Sequence, residues 1–558
     1  MVHSVLSGSR ILVVWLKLKI RYWEMGRKLV DGIVGLVVEP CGGNSPDVFF
    51  QAAGRTPVVE WCRTICWPFS VWLPCDSSKD SASRITTCNH YKMLVTTCPK
   101  IRLTDQYKDF FEHTKSKTVI VLEYSSYLMT SLLIAGGRVL RPDMTVSQAD
   151  VLIDQDSGLI EKIGSDLTAE NTLQASNSLV TPGFVNGHSH IPMVLLRGYA
   201  DDKPLDRWLE EDIWPAESTM TADDVHTGAK LGLLEMIKSG TTGFADMYFH
   251  VPEIVDAVDQ AGVRALLGHG IVTAGKDADK ALADVEKSLE FAQKYDGAAE
   301  GRISTAFMPH SLVTVGNEYL EEFVPRVREA GIPIHYHANE TLNEVRPIVN
   351  DHGIRPLDYA ANHGILEPQD FVAHGVHVDE QEINLIAEAG TSVIHCPASN
   401  MKLASGMAPI QRMRDAGVTV GLGTDGAATN NDLSLLDEGR DAAMLGKIAA
   451  NDASAVPAET VIQMMTQGSA SALGFHSGVI EEKEPADLAV IDLEKPHLTP
   501  RNDLVSHLAY SAAGSDVKHT VCDGQILMRD REVLTLEEES IVEQAQQTAS
   551  SLVSRVSS

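Results

Sequence analysis

Cysteine and lysine are scarce over most of this chain of 558 residues. From residue 129 onward it holds two cysteines, Cys396 and Cys522, and 13 lysines. Two cysteines so far apart exclude a disulfide framework and suit a reducing compartment. Positive charge is the larger shortage: the same stretch carries 30 Lys+Arg against 65 Asp+Glu, a net of −35. Such a surface repels phosphate backbones and anionic lipid, which argues against nucleic acid and membrane as partners. It fits a cytosol of high ionic strength, where salt screens self-repulsion. Long apolar runs are missing as well. Ile11–Leu16 is broken by Lys17 and Lys19, too short to span a bilayer, and no small-residue cleavage site follows it. The expectation is a cytoplasmic protein.

Residues 1–128 differ in cysteine, tryptophan and charge. They hold six of the eight cysteines, five of the seven tryptophans and a net charge of +5. Cys62 and Cys66 have no second Cys/His pair at finger-like spacing, so they do not read as a zinc module. With no sustained periodicity, this part reads as a poorly ordered N-terminal extension, the functional text starting at or near Met129.

After Met129 the pattern becomes regular. Residues 129–182 are short strands and turns, such as Ala149–Asp154 and Leu159–Ile163. Similar text returns in 479–535, as Asp487–Asp492, Val517–Val521 and Asp523–Met528. Both flanks together are expected to form one small β-sandwich domain, with 536–558 as a helical tail. Between them, in 183–478, helical stretches (Asp223–Ser239, Ala278–Tyr295, Glu318–Ala330, Glu380–Ala389) alternate with strand-like ones. The strand-like ones are Gly243–Asp246, Arg264–Gly268, Ile303–Phe307, Pro333–His337, Phe371–His374, Thr391–His395 and Val418–Gly423. The fold class is therefore α/β, and the count suits a TIM-like (β/α)8 barrel, whose strand ends carry chemistry.

Five nitrogen or oxygen donors fall at or just beyond strand ends: His188 and His190, which close the short apolar run from Leu179, and His337, His374 and Asp425. A single His-x-His means little, since about 0.7 is expected by chance in a chain with this histidine content. Their joint placement means more. A catalytic divalent metal takes three or four protein ligands and keeps a position for water, whose pKa it lowers from about 15.7 to about 7. Glu340, three residues after His337, is placed to shuttle a proton to a leaving nitrogen. His374 is suited to orient the nucleophile or stabilise developing charge.

The stretch from His188 to Glu217, with Pro-Met-Val-Leu-Leu-Arg-Gly after His190, resembles the amidohydrolase superfamily. More narrowly, it resembles the 5′-methylthioadenosine/S-adenosylhomocysteine deaminases. Further matching blocks are Asp246–His250, Pro309–Ser311, Ala373–His377, His395–Leu403 and Gly423–Asn431. The resemblance runs from about Met129 to about Arg531. It implies metal ligands at His188, His190, His337 and Asp425, and catalytic roles for Glu340, His374 and Asp425. It implies substrate contacts at Glu217 (ribose hydroxyls), His310 and Glu340. One zinc ion per subunit is implied, with ferrous iron or another divalent ion as the alternative. The implied reaction is hydrolytic deamination of a small nucleoside of the adenosine type, releasing ammonia, and homo-oligomerisation is left open.

Two arginines that the resemblance leads one to expect are absent from Leu267-Gly-His269-Gly and from Ala274–Lys280. The first would contact the substrate's distal end and the second would hold the carboxylate of an amino-acid tail, so methylthioadenosine or adenosine is favoured over S-adenosylhomocysteine. Lys276 or Lys280 could substitute as a point charge, without the bidentate fit of a guanidinium. The alternatives are a related enzyme acting on guanine, cytosine or a triazine ring, a two-metal cyclic amidase, and a barrel that binds a nucleoside without turnover. A modified lysine bridging two metals has no counterpart in Ser304–His310.

Overall fold

The computed structural model describes residues 130–557, preceded only by the backbone of six strands between Leu12 and Glu123. The expected poor order of the extension concerns residues that otherwise lie outside the described ones. Eight parallel strands follow one another through the middle of the chain: Phe184–Ser189, Thr241–Tyr248, Arg264–Ile271, Ile303–Thr305, His335–Ala338, Phe371–His374, Ser392–His395 and Val420–Leu422. They pair in sequence order as two runs of four. Bridges Phe307–Ile334 and Ser189–Asp425 join the runs to each other at both edges, which closes the barrel. Helices cover it, among them Ala222–Lys238, Ala278–Tyr295, Asn317–Glu329 and Leu435–Ala450.

Closure at the seam between first and last strand depends on side-chain size. A Cβ on Gly423 would sit 2.8 Å from the backbone nitrogen of His188, so only glycine lets these strands meet. Beside it, the Asn186 amide donates to the Thr424 hydroxyl (2.7 Å) and its carbonyl accepts from the Thr424 N–H (3.0 Å). Val185, Ala245, Leu266, Met308 and Ile394, from five different strands, form one buried cluster filling the interior.

Both flanking segments enter a single further sheet. Its order runs from Glu532–Val533 through Gln525–Arg529, Val517–Cys522, Leu488–Asp492, Ser178–Pro182, Ser131–Leu140 and Val146–Asp154 to Leu159–Gly164. Leu132, Ile134, Val151, Ile153, Leu488, Val490 and Val521 make its separate core. The helix Glu538–Val556 follows, buries Ile541, Ala545 and Leu552, and is tied down by Lys238 on Glu538 (2.7 Å). In the helix Leu435–Ala450, Ala442, Ala443 and Leu445 are buried while Met444 and Ile448 face outward. No helix among the described residues is long and apolar enough to cross a membrane.

Candidate metal centre and active site

Each imidazole at the carboxyl end of the barrel is fixed from behind by its Nδ1. His190 donates to the carbonyl of Met247 (2.6 Å), and His337 to that of His310 (2.6 Å). His374 donates to the side-chain oxygen of Asn400 (3.0 Å). His188 Nδ1 faces Nε2 of His335 at 2.8 Å, and His335 in turn donates from Nδ1 to the carbonyl of Phe371 (2.9 Å). An imidazole that gives its Nδ1 proton outward presents a bare Nε2 inward, the form a metal binds.

Those inward atoms converge. One donor atom from each of His188, His337, His374 and Asp425 lies within 4.8 Å of the others. His190 Nε2 stands 3.2 Å from Asp425 Oδ1 and 3.3 Å from His337 Nε2, so the fifth expected donor joins the same group. Asp425 Oδ2 accepts from the hydroxyls of Ser399 (2.7 Å) and Thr429 (3.2 Å), leaving Oδ1 toward the histidines. Nε2 of His188 and of His374 are buried and have no hydrogen-bond partner among the described residues. Burying a polar nitrogen unpartnered costs about 1–3 kcal/mol, so such atoms call for a ligand. Nitrogen and carboxylate donors converging with unpartnered lone pairs fit a divalent metal ion. Backbone strain marks the same place: His374 (φ 72°) and Asp425 (φ 60°) both take the left-handed conformation.

Glu340 follows Asn339, itself left-handed at φ 52°, which turns the chain back over the centre. Its Oε1 accepts from the Ser405 hydroxyl (3.2 Å) and its Oε2 lies 3.6 Å from His374 Nε2. Glu217 comes from the long excursion after the first strand, the short helical turn Trp214–Glu217, and lies beside Tyr248. The ring of His310 stands 4.7 Å from that of His337, and its Nδ1 is 3.1 Å from the Thr314 hydroxyl.

Electrostatics divides these groups. Desolvation and the charge of Asp425 push Glu340 up to about 8, and desolvation pushes Glu217 up to about 7. Burial would raise Asp425 too, but the imidazoles of His188 and His190 beside it hold it well below the usual carboxylate range. Desolvation lowers His188 and His310 to about 4 each. It opposes His190 as well, yet the Asp425 carboxylate keeps that imidazole raised, at about 9.

His188, His190, His337, His374, Asp425 and Glu340 are thus brought together at this mouth of the barrel, with His310 beside His337. Lys276 and Lys280 do not offer the point charge weighed for them: Lys276 is bound to Asp284 (2.8 Å), which also holds His269 (2.9 Å), and Lys280 to Asp277 (2.7 Å). Sequence reasoning passed over His335, Ser405 and Tyr248. The only signal for the first was the second His-x-His at 335 and 337; a lone serine in a loop or a lone tyrosine at a strand end carries none.

The amidohydrolase family model matches residues 179–527. A 5-methylthioadenosine/S-adenosylhomocysteine deaminase of Haloarcula marismortui is 62% identical over 429 residues, which is 76% of this chain and 99% of that protein. A 5′-deoxyadenosine deaminase of Methanosarcina mazei is 42% identical, covering 77% of this chain and 100% of that protein. Among solved structures, an adenosine deaminase from Xanthomonas campestris with bound zinc aligns with a TM-score of 0.72 at 34% identity, over 76% of this chain and 98% of that one. With its barrel closed, its donors converged and these likenesses spanning nearly the whole of each relative, the chain belongs to the amidohydrolase family, alongside the 5-methylthioadenosine/S-adenosylhomocysteine deaminases.

Proposed function

We propose that this protein is a metal-dependent hydrolytic deaminase that converts an adenosine derivative to the inosine analogue and ammonia. The observation that carries the reading is the convergence of inward-facing imidazole nitrogens on Asp425 beside a proton-bearing glutamate. His188, His190, His337 and Asp425 would hold one zinc ion. When bound, such an ion supplies Lewis-acid chemistry, bringing the pKa of water close to neutrality.

The chain's own residues account for the remaining steps. Glu340, with a pKa of about 8, is protonated at neutral pH and would deliver its proton to the purine nitrogen or to the departing amine. Taking a proton from the attacking water restores it for the next turnover. His374, its Nδ1 committed to Asn400, keeps Nε2 free to accept from that water and hold it in line. Glu217 would accept from two neighbouring ribose hydroxyls, which a carboxylate does with one oxygen each. Substrate binding there brings hydrogen-bond donors to a carboxyl raised by burial, favouring its ionised form. His310 would contact the substrate beside His337.

With Lys276 and Lys280 tied to aspartates, a neutral 5′ substituent suits the site better than an amino-acid tail. Methylthioadenosine, deoxyadenosine or adenosine is therefore the expected substrate, ahead of S-adenosylhomocysteine. Ammonia release should be measured across these four together with guanine, cytosine and a chlorotriazine. Turnover of an adenosine derivative that ends on metal removal and returns with zinc is the expected result. Turnover of guanine, cytosine or the triazine alone would replace this reading with the related-enzyme alternative. We place the enzyme in the cytoplasm, consistent with two buried, unpaired cysteines among the described residues.

A further inference from the structure

The four inward imidazoles are anchored in two different ways. His190 and His337 lean on main-chain carbonyls, which no substitution can remove. His188 and His374 lean on side chains, His335 and Asn400. His335 is the more unusual of the two anchors, being itself a histidine that could donate or accept from either nitrogen.

Its own surroundings decide the matter. Nδ1 of His335 lies 2.9 Å from the Phe371 carbonyl, and a carbonyl only accepts, so Nδ1 carries the proton. The ring is fully buried, stacked on Phe371 with centroids 4.1 Å apart, and among the described residues no carboxylate forms an ion pair with it. A neutral ring protonated at Nδ1 has a bare Nε2. That nitrogen, 2.8 Å from His188 Nδ1, is an acceptor. His188 must then carry its proton on Nδ1, and its own Nε2, buried and without a partner, is left bare toward Asp425 Oδ1 at 3.4 Å.

We propose that His335 is a positioning residue for the metal centre: a buried relay from the Phe371 carbonyl to His188 that fixes the tautomer and ring orientation of His188. His335 does the work that the Met247 and His310 carbonyls do for His190 and His337, from one layer deeper in the barrel. The first strand explains why a relay is needed. Its pairing with Thr241–Tyr248 shifts register between Asn186 and Ser189, where His188 sits. Among the described residues no main-chain carbonyl bonds His188 Nδ1; the imidazole nitrogen of His335 takes that place. Because this inference rests on the reading of His188 as a metal ligand, its test must separate the two.

The experiment is competitive zinc titration of the full chain against a chelator of known affinity, for the wild type, His335→Leu and His335→Gln. Leucine fills much of the space and supplies no acceptor; glutamine offers an amide oxygen to His188 and an amide N–H to Phe371. Zinc affinity is expected to fall about 10–100-fold in His335→Leu, the usual loss when the partner of a metal-bound histidine is removed. His335→Gln should recover most of it, and at saturating zinc KM should match the wild type in both. Thermal melting of the metal-free forms is the control, since a packing role alone would shift stability without separating the zinc affinities. Equal zinc affinity in the leucine variant and the wild type, or a glutamine variant no better than leucine, would overturn the relay while leaving the metal site standing. A wild type that takes up no stoichiometric zinc would overturn the site itself. Should the leucine variant fail to fold, nitrogen-15 histidine NMR of the zinc-loaded wild type decides. The relay requires His335 protonated at Nδ1 with a bare, hydrogen-bonded Nε2; a proton on Nε2 sinks it.

Discussion

Asp425 and Glu340 are both acids at one end of the same barrel, 5% and 4% exposed, and their environments drive them in opposite directions. Asp425 faces His188 and His190 and takes hydroxyl donors from Ser399 and Thr429, so its charge is held. Glu340 has one hydroxyl, that of Ser405, and the negative field of Asp425, so it keeps its proton. Burial acts on both; what differs is the count of donors and cations around each. One carboxyl is thereby suited to hold a cation and the other to carry a proton, a division of labour set by surroundings rather than residue type.

Breaking the charged side should have the larger effect. Asp425→Ala is expected to lose at least about 1000-fold in kcat/KM together with most bound metal, exceeding the 10–100-fold typical when only a partner of a ligand is removed. Metal analysis of the purified variant alongside its kinetics checks this; near-normal zinc content would contradict the assignment. Glu340→Gln should keep its metal and lose about 10²–10⁴-fold in kcat, the range for a positioned proton carrier.

The two acids should also pull stability against pH in opposite senses. For Glu340 the folded pKa, about 8, exceeds the ordinary value of 4.5, so ionisation opposes folding increasingly as pH rises from about 4.5 to 8. Metal-free Glu340→Gln should therefore gain thermal stability over the wild type across that window, by roughly 2–4 °C at its upper end for each kcal/mol recovered. Asp425, held low, contributes stability above its unfolded pKa that is lost as pH falls through the folded value. Metal-free Asp425→Asn should be less stable than the wild type at neutral pH, with the gap closing in acid. Parallel pH trends in the two variants would abolish the contrast.

The smallest change sharpens the comparison. Ser405→Ala removes the one hydroxyl that steadies ionised Glu340, worth about 1 kcal/mol or roughly fivefold. The apparent pKa of the step governed by Glu340 should move upward in the pH–rate profile, with zinc content unchanged.

Much of the frame was legible because its signal is local. The helices Ala278–Tyr295 and Glu380–Ala389 and the strand Phe371–His374 fall where periodicity placed them. Thr241–Tyr248 extends beyond the expected Gly243–Asp246 because all eight of its residues are buried, so no alternation marks its ends. The excursion between His190 and Thr221 was opaque, being built of turns of four to six residues with no period to read. Nor could sequence separate the two His-x-His pairs. His188 and His190 straddle the irregular end of their strand and both reach the centre. His335 and His337 lie on a regularly paired strand, about 6.6 Å apart along it, so only the second arrives and the first lies beneath.

Residue order alone determined the alternation of strand and helix, the donor types at the strand ends and the acidity of the surface, because each follows from composition and short-range pattern. Barrel closure decided the rest: which nitrogens share a centre, which side chain turns His188, and which of two buried carboxyls keeps its proton. Those outcomes depend on distances of a few ångströms between segments up to some 240 residues apart, and on the exclusion of water that only the folded chain provides.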